Sequence, residues 1–311
     1  MRKSLNARLV TFFTGAVLLL SASVACAQPG PPGEPAAEPP GEPAAEPPGE
    51  PAAEPPGEPA AESPGAPAAE PPGERGGGQG QPSLDIIGLT DDNRLVQFSS
   101  DNPSPRETGT IRGLEGGDTR LVGIDYRIQD GRLYGVGDRG GLYTLEPNGQ
   151  ATSVGRLTIA LEGTNFGVDF NPAANALRVV SDTGQNLRQP FAATPLPATV
   201  ADTQLSNPPA APPATGITAA AYTNNDADPN TATTLYDVDT TADQIVIQSP
   251  ANAGLLATTG RLTVDAAPTA GFDIYSVVRG GSVADQMAFA TLQVAANTGS
   301  TGSSCSPVGP S

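Results

Sequence analysis

The strongest constraint on the fold of this chain is a short motif that recurs at steps of 44, 52 and 52 residues. Its pattern is glycine, aliphatic, aspartate, aromatic at residues 123–126 and 167–170, with a variant at 271–274. Residues 219–222, Ala-Ala-Ala-Tyr, stand at the corresponding place between the last two. Recurrence on this scale indicates one supersecondary unit that is repeated along the chain and stacked on its neighbours.

A second β-rich run follows each copy of the motif. These runs lie at residues 133–136, 177–180, 235–238 and 287–290, with a similar run one period earlier at 86–89. Short strands separated by turn residues, in units of about 45–55 residues, are typical of β-propeller blades. We therefore predict an all-β fold, a β-propeller of about five four-stranded blades, over residues 83–296. The first unit lacks its opening strand and the fifth loses its outer strands; an irregular β-sandwich is the alternative.

The N-terminus has the pattern of an export signal. A basic start precedes an apolar stretch at residues 9–24, and Ala25, Cys26 and Ala27 form an A-x-A cleavage site. We predict that residues 1–27 are a signal peptide and that the protein is extracellular or associated with the envelope of a bacterium. An uncleaved anchor and a lipid anchor at Cys26 are the alternatives, and no transmembrane span is expected after cleavage.

Residues 28–82 have low complexity, with the repeat Gly-Glu-Pro-Ala-Ala-Glu-Pro-Pro. Proline removes backbone donors and the regular glutamates repel each other, so this linker is predicted to be disordered and extended. Residues 297–311, rich in glycine, serine and threonine, are predicted to be a disordered tail.

Composition excludes several classes of function. The chain has no histidine, which excludes a Ser-His-Asp triad and any histidine-ligated metal. Its two cysteines cannot form a four-thiolate site. A net charge of −17 argues against a nucleic-acid partner, because phosphates are bound by clustered lysine and arginine. We expect a monomer whose partner is an envelope ligand or protein.

The aspartates of the motif are the candidate metal ligands. In a propeller, equivalent positions of the inner strands converge at the axis, so Asp125, Asp169 and Asp273 could hold Ca²⁺, which prefers oxygen ligands. Ala221 interrupts this ring, and aspartate often accepts hydrogen bonds from nearby backbone donors. The sequence therefore favours a structural role for the three carboxylates over a Ca²⁺ site.

Two other polar segments have simpler interpretations. Residues 237–243 begin like a calcium loop but lack its central glycine and late glutamate, so we predict a hairpin turn. Arg178 and Arg188 flank a polar turn that contains Asp182, and we predict an internal ion pair there.

The longest motifs resemble a known family. NFGVDFNP at residues 165–172, LRVVSDTGQNLR at 177–188, AAYTNN at 220–225 and TLYDVD at 234–239 resemble the signature of the bacterial exported family catalogued as domain of unknown function 4394. The resemblance spans Asp85 to about Leu292. It implies a β-propeller-like fold and a location outside the cytoplasm, and it implies no catalytic or cofactor-binding residue.

Three hypotheses for the function remain open. The first is a non-enzymatic binding or interaction module at the cell envelope. The second is a carboxylate-dependent glycosidase or lyase that acts on envelope polymers, since paired carboxylates alone can hydrolyse glycosides. The third is a structural domain without a ligand. No pair of residues is singled out as catalytic.

Overall fold

The computed structural model describes residues 20–23, 83–210, 213–226 and 228–294. Within these ranges the chain forms eighteen β-strands and one short 3₁₀ helix, Ala251–Ala253. The strands are β1 (Leu20–Ser23), β2 (Asp85–Leu89), β3 (Arg94–Ser99), β4 (Asn102–Thr110), β5 (Leu121–Arg127), β6 (Arg132–Gly137), β7 (Gly141–Leu145), β8 (Ala151–Arg156), β9 (Phe166–Asn171), β10 (Ala176–Ser181), β11 (Asn186–Pro190), β12 (Val200–Ala201), β13 (Ile217–Tyr222), β14 (Leu235–Asp239), β15 (Gln244–Gln248), β16 (Leu256–Arg261), β17 (Ala266–Arg279) and β18 (Ser282–Val294).

The strands form five antiparallel sheets in chain order. We call them the first sheet (β2–β4), the second (β5–β8), the third (β9–β12), the fourth (β13–β16) and the fifth (β17 and β18, with β1 on the outer edge of β18). Within each of the first four sheets, consecutive strands pair as hairpins. This meander is the organisation of propeller blades.

The predicted propeller is confirmed, but the predicted number of four-stranded blades is wrong. Among the described residues, only the second, third and fourth sheets have four strands, and the first sheet has three. Four blades are therefore followed by a long hairpin, β17–β18, rather than by a fifth full blade. β2 matches the second strand of the other units, so no described residues form an inner strand for the first sheet.

Apolar side chains fill each space between successive sheets. Leu89 and Leu95 of the first sheet pack with Ile124 of the second, and clusters of the same kind join the second to the third, the third to the fourth and the fourth to the fifth. A fifth cluster joins Phe289 of β18 to Ile86 of the first sheet. The sheets therefore close a ring around one centre, which excludes the two facing layers of a β-sandwich.

The glycine of the recurring motif lets the first strands of neighbouring sheets approach closely. A Cβ atom at Gly167 would lie 2.7 Å from the backbone carbon of Ala219, and one at Gly123 would overlap the side chain of Val168. We call β5, β9, β13 and β17 the inner strands, because each begins its sheet and consecutive members lie side by side.

The predictions for the two ends of the chain fall largely outside the described residues. The linker 28–82 and the tail 297–311 are not described, and of the predicted signal peptide only Leu20–Ser23 is described, where β1 pairs with Met287–Ala290. The export signal and the linker therefore stay predictions.

Candidate functional site

The inner strands bring together the three aspartates that the motif singled out. Asp125 lies on β5, Asp169 on β9 and Asp273 on β17, and one carboxylate oxygen of each lies within 4.8 Å of the others. Because the motif stands at the same place in each unit, ring closure carries its aspartates to the centre. Ala221 takes the equivalent position on β13 and offers no ligand there, as the sequence indicates.

Two of these carboxylates also hold neighbouring inner strands together. Asp125 Oδ2 accepts a hydrogen bond of 2.8 Å from the backbone N–H of Phe170, and Asp169 Oδ2 accepts one of 2.8 Å from the N–H of Tyr222. Each donor is the residue that follows the motif's aspartate position on the next inner strand. These two carboxylates therefore link neighbouring inner strands, as a structural role requires; the structural role of all three aspartates stays a prediction.

Electrostatic repulsion and burial act together on this cluster. Asp169 is 5% exposed and Asp125 is 9% exposed, whereas Asp273 is half-buried. Burial raises the pKa of Asp169 well above its usual range, and the charges of Asp125 and Asp273 raise it further. Three like charges at this distance are unfavourable, so the cluster gains stability from protons or from a cation.

The chemistry of the donors restricts which cation fits. Every candidate ligand atom in the cluster is a carboxylate oxygen. Oxygen ligands of this kind suit hard cations such as Ca²⁺ and Mg²⁺ rather than the softer metals that thiolates select. The cluster is therefore able to bind a hard cation or to share protons.

Comparison with protein families decides where this chain belongs. The family described as "Domain of unknown function (DUF4394)" matches residues 94–304. The chain belongs to this family. The resemblance that residues 165–188 carry is thereby confirmed.

Among solved structures, the DUF4394 chain is similar to an auxiliary nutrient binding protein from Bacteroides ovatus ATCC 8483. The two share 12% identity with a TM-score of 0.38, over 66% of this chain and 55% of that one. This chain thus spans little more than half the length of that structure, and a similarity of this size carries no argument about function. A comparison with curated proteins gives no match.

The prediction for residues 237–243 of the DUF4394 domain is confirmed. Asp239 and Gln244 are the last paired residues of β14 and β15, so the residues between them form a hairpin turn. Asp239 Oδ1 accepts hydrogen bonds of 3.0 Å from the N–H groups of Thr241 and Ala242, which closes the turn.

The predicted pairing of Arg178 and Arg188 with Asp182 is wrong. Both arginines pair with Asp202, at 2.7 Å for Arg178 and 3.1 Å for Arg188. Asp182 instead accepts hydrogen bonds from Thr164 and Asn165, which fixes the entry to β9. Asp202 was missed because it lies within the proline-rich stretch at residues 190–213, whose path the sequence does not reveal.

A buried polar cluster between the third and fourth sheets is the main feature that the sequence did not indicate. Arg178 is 2% exposed and donates to the side-chain oxygens of Asn186, Asn252 and Tyr222 as well as to Asp202. The sequence contains one indication of this cluster. Arg178 stands on β10 at the place where β6 and β14 have a tyrosine.

None of the described residues belongs to a helix that is long and apolar enough to cross a membrane. Several cavities lie among these residues. One of about 630 Å³ borders the first sheet at Thr90, Arg94 and Glu107, and another of about 400 Å³ lies beside Tyr126 and Leu133.

Proposed function

We propose that this protein is an exported, non-enzymatic binding module of the bacterial envelope, and that Asp125, Asp169 and Asp273 form its binding site for a divalent cation such as Ca²⁺. The observation that carries the proposal is the convergence of three carboxylate oxygens within 4.8 Å at the centre of the ring. The predicted export signal supports the location, where free Ca²⁺ is available to a site of moderate affinity.

A cation at this position would remove an electrostatic conflict that the fold creates. The second and third sheets contribute Asp125 and Asp169 for a local reason, the hydrogen bond to the next inner strand, and closure of the ring then places these charges against that of Asp273. Asp273 is half-buried, so the cluster is not sealed on every side. Ca²⁺ takes six to eight oxygen ligands, and carbonyl groups or water would complete the shell.

The geometry supports binding better than glycoside hydrolysis. A glycosidase needs one carboxylic acid and one carboxylate on either side of a bond in an open cleft. Here Asp125 and Asp169 are buried, and their oxygens accept hydrogen bonds from backbone N–H groups. A polysaccharide could not be placed between side chains that already hold two strands together.

The proposal predicts that Ca²⁺ stabilises the full chain. The melting temperature should rise by about 5–10 °C when free Ca²⁺ exceeds its dissociation constant about 100-fold, relative to the chelated protein. Circular dichroism is the measurement. The variant Asp273→Asn should lose this shift, whereas Asp265→Asn, which removes an exposed carboxylate from the same sheet region, should retain it.

The proposed function would be wrong if Ca²⁺ and Mg²⁺ left the melting temperature unchanged. It would be equally wrong if Asp265→Asn abolished the shift as completely as Asp273→Asn, because the effect would then come from net charge rather than from a site.

A further inference from the structure

Among the described residues, the interface between the third and fourth sheets contains three buried oxygens without a hydrogen-bond donor. They are both carboxylate oxygens of Asp237 on β14 and Oε1 of Gln248 on β15. Asp237 is 0% exposed and Gln248 is 1% exposed. A buried acceptor that loses its hydrogen bonds to water and gains none in the protein is unfavourable, so three of them in one place require an explanation.

The pairing of β14 and β15 puts these two side chains on the same face. Asp237 lies opposite Val246, and Gln248 lies opposite Leu235, so Asp237 and Gln248 are diagonal neighbours across adjacent strands. Side chains in this relation are within reach of each other. The Asp237 carboxylate and Gln248 Oε1 are both hydrogen-bond acceptors. The carboxyl group becomes a donor only when it is protonated.

The side-chain nitrogen of Gln248 cannot supply the missing donor. Gln248 Nε2 already donates to the carbonyl oxygen of Ala251 at 2.6 Å and to Asn186 Oδ1 at 3.4 Å. Its orientation is therefore fixed with Oε1 turned away from those partners. The only group among the three that can become a donor is the Asp237 carboxyl.

We infer that Asp237 is held as a neutral carboxylic acid that donates a hydrogen bond to Gln248 Oε1, so that the contact between Asp237 and Gln248, on the face of the fourth sheet that packs against the third, is pH-sensitive. One proton thus removes the conflict between two buried acceptors. When the proton leaves to bulk water at high pH, the contact loses its donor and a buried negative charge takes its place.

Arg178 is the charged group that could favour the ionised form instead. Its attraction lowers the pKa of Asp237, but burial raises that pKa by more. Arg178 makes a direct ion pair with Asp202, which also pairs with Arg188, and it makes none with Asp237. The other titratable groups of this interface include Asp169 on β9, which accepts a hydrogen bond from the N–H of Tyr222, and Tyr222 on β13, whose hydroxyl accepts one from Arg178. Asp239 on β14 closes the hairpin turn with its carboxylate.

The surroundings also argue against a cation in place of the proton. Arg178 and Arg188 share one carboxylate, so this interface already carries an excess of positive charge. A metal ion beside Asp237 would add to that excess in a region of low dielectric, which is unfavourable. A proton adds a donor to the Asp237 carboxyl without placing a separate ion there.

The test uses Asp237→Asn in the full chain, because an amide has the shape of the neutral acid and can donate to Gln248 Oε1. We expect the melting temperature of Asp237→Asn to match or exceed that of the wild type at pH 7, and the difference to grow by about 2–4 °C or more towards pH 9. Asp237→Ala, which removes the donor, should melt below Asp237→Asn at every pH. Asp265→Asn is the control for loss of an exposed charge.

A melting temperature of Asp237→Asn well below that of the wild type at pH 7, or failure of this variant to fold, would overturn the inference, because a buried carboxylate paired with Arg178 would behave in that way. A second measurement uses the wild-type protein alone. In a ¹³C titration of its aspartate carboxyl groups, Asp237 should remain protonated at pH 7, and an ionised Asp237 would contradict the inference.

Discussion

At the scale of the residue, the buried carboxylates differ in the hydrogen bonds that they accept. Asp125 and Asp169 accept backbone N–H groups across neighbouring sheets, whereas Asp237 lacks such a donor. Burial raises the pKa of both Asp169 and Asp237. A carboxyl whose pKa is raised by folding stabilises the protein fully below the pKa of the unfolded chain, about 3.9, and loses that contribution as the pH rises through the folded pKa.

Asp169→Asn is therefore predicted to make the free energy of unfolding less dependent on pH. The amide keeps an oxygen for the N–H of Tyr222 but cannot ionise, so without divalent cations the variant should gain stability relative to the wild type between pH 5 and pH 8. Asp169→Ala should instead lose about 1–3 kcal/mol, since the N–H of Tyr222 loses its acceptor. Urea unfolding followed by circular dichroism measures both, and equal losses for the two variants would contradict the account.

The residue scale also shows where the sequence was sufficient and where it was not. The recurring aspartates could be assigned to one centre because periodicity fixes which positions are equivalent. The partner of Arg178 could not be assigned, because Asp202 lies within a proline-rich segment that has no match in the other units. Asp237 was predicted on the strand that leads into the hairpin turn, and it lies on β14, two residues before the Asp239–Gln244 pair that closes the turn. The sequence did not indicate that its carboxylate is buried without a donor.

At the scale of the element, close approach of inner strands explains why the motif begins with glycine. A Cβ atom at Gly167 would lie 2.7 Å from the backbone of Ala219, and backbone cannot move aside as a flexible side chain can. The position on β13 that corresponds to Gly167 holds Ala219, so the requirement differs between strands and depends on the next strand in the ring.

Gly167→Ala is predicted to destabilise the domain by about 1–3 kcal/mol, because the added methyl group forces the inner strands apart. Gly260→Ala is the matched control, since a Cβ atom there meets nothing within 4 Å and the residue also lies in a strand. Chemical denaturation compares the two. If both variants unfold at the same denaturant concentration, close packing is not what selects the glycine.

At the scale of the whole molecule, ring closure depends on the contact between the fifth sheet and the first. The sequence predicted both irregular units, because each lacks runs that its neighbours have. It could not show how they meet, since the apolar residues involved follow no shared motif. In the structure Phe289 of β18, 6% exposed, packs with Leu84, Ile86 and Phe98 and joins the two ends of the described ring.

Phe289→Ala is accordingly predicted to cost about 3–5 kcal/mol, the usual loss for a buried phenylalanine. Because the contact closes the ring, the loss should appear in the unfolding of the whole domain and not only in the last hairpin. Val278→Ala, at a side chain that is 41% exposed, should change stability by less than about 0.5 kcal/mol. Hydrogen exchange is the measurement. If Phe289→Ala reduced the protection of backbone amides in β17 and β18 alone, Phe289 would not close the ring.

The central claim is that the three motif aspartates bind a divalent cation at the centre of the ring. A crystal structure of the protein grown with Ca²⁺ tests it most directly. The account predicts an ion about 2.3–2.6 Å from oxygens of Asp125, Asp169 and Asp273. Carboxyl groups that are hydrogen-bonded directly to one another at saturating Ca²⁺, with no ion between them, would contradict it.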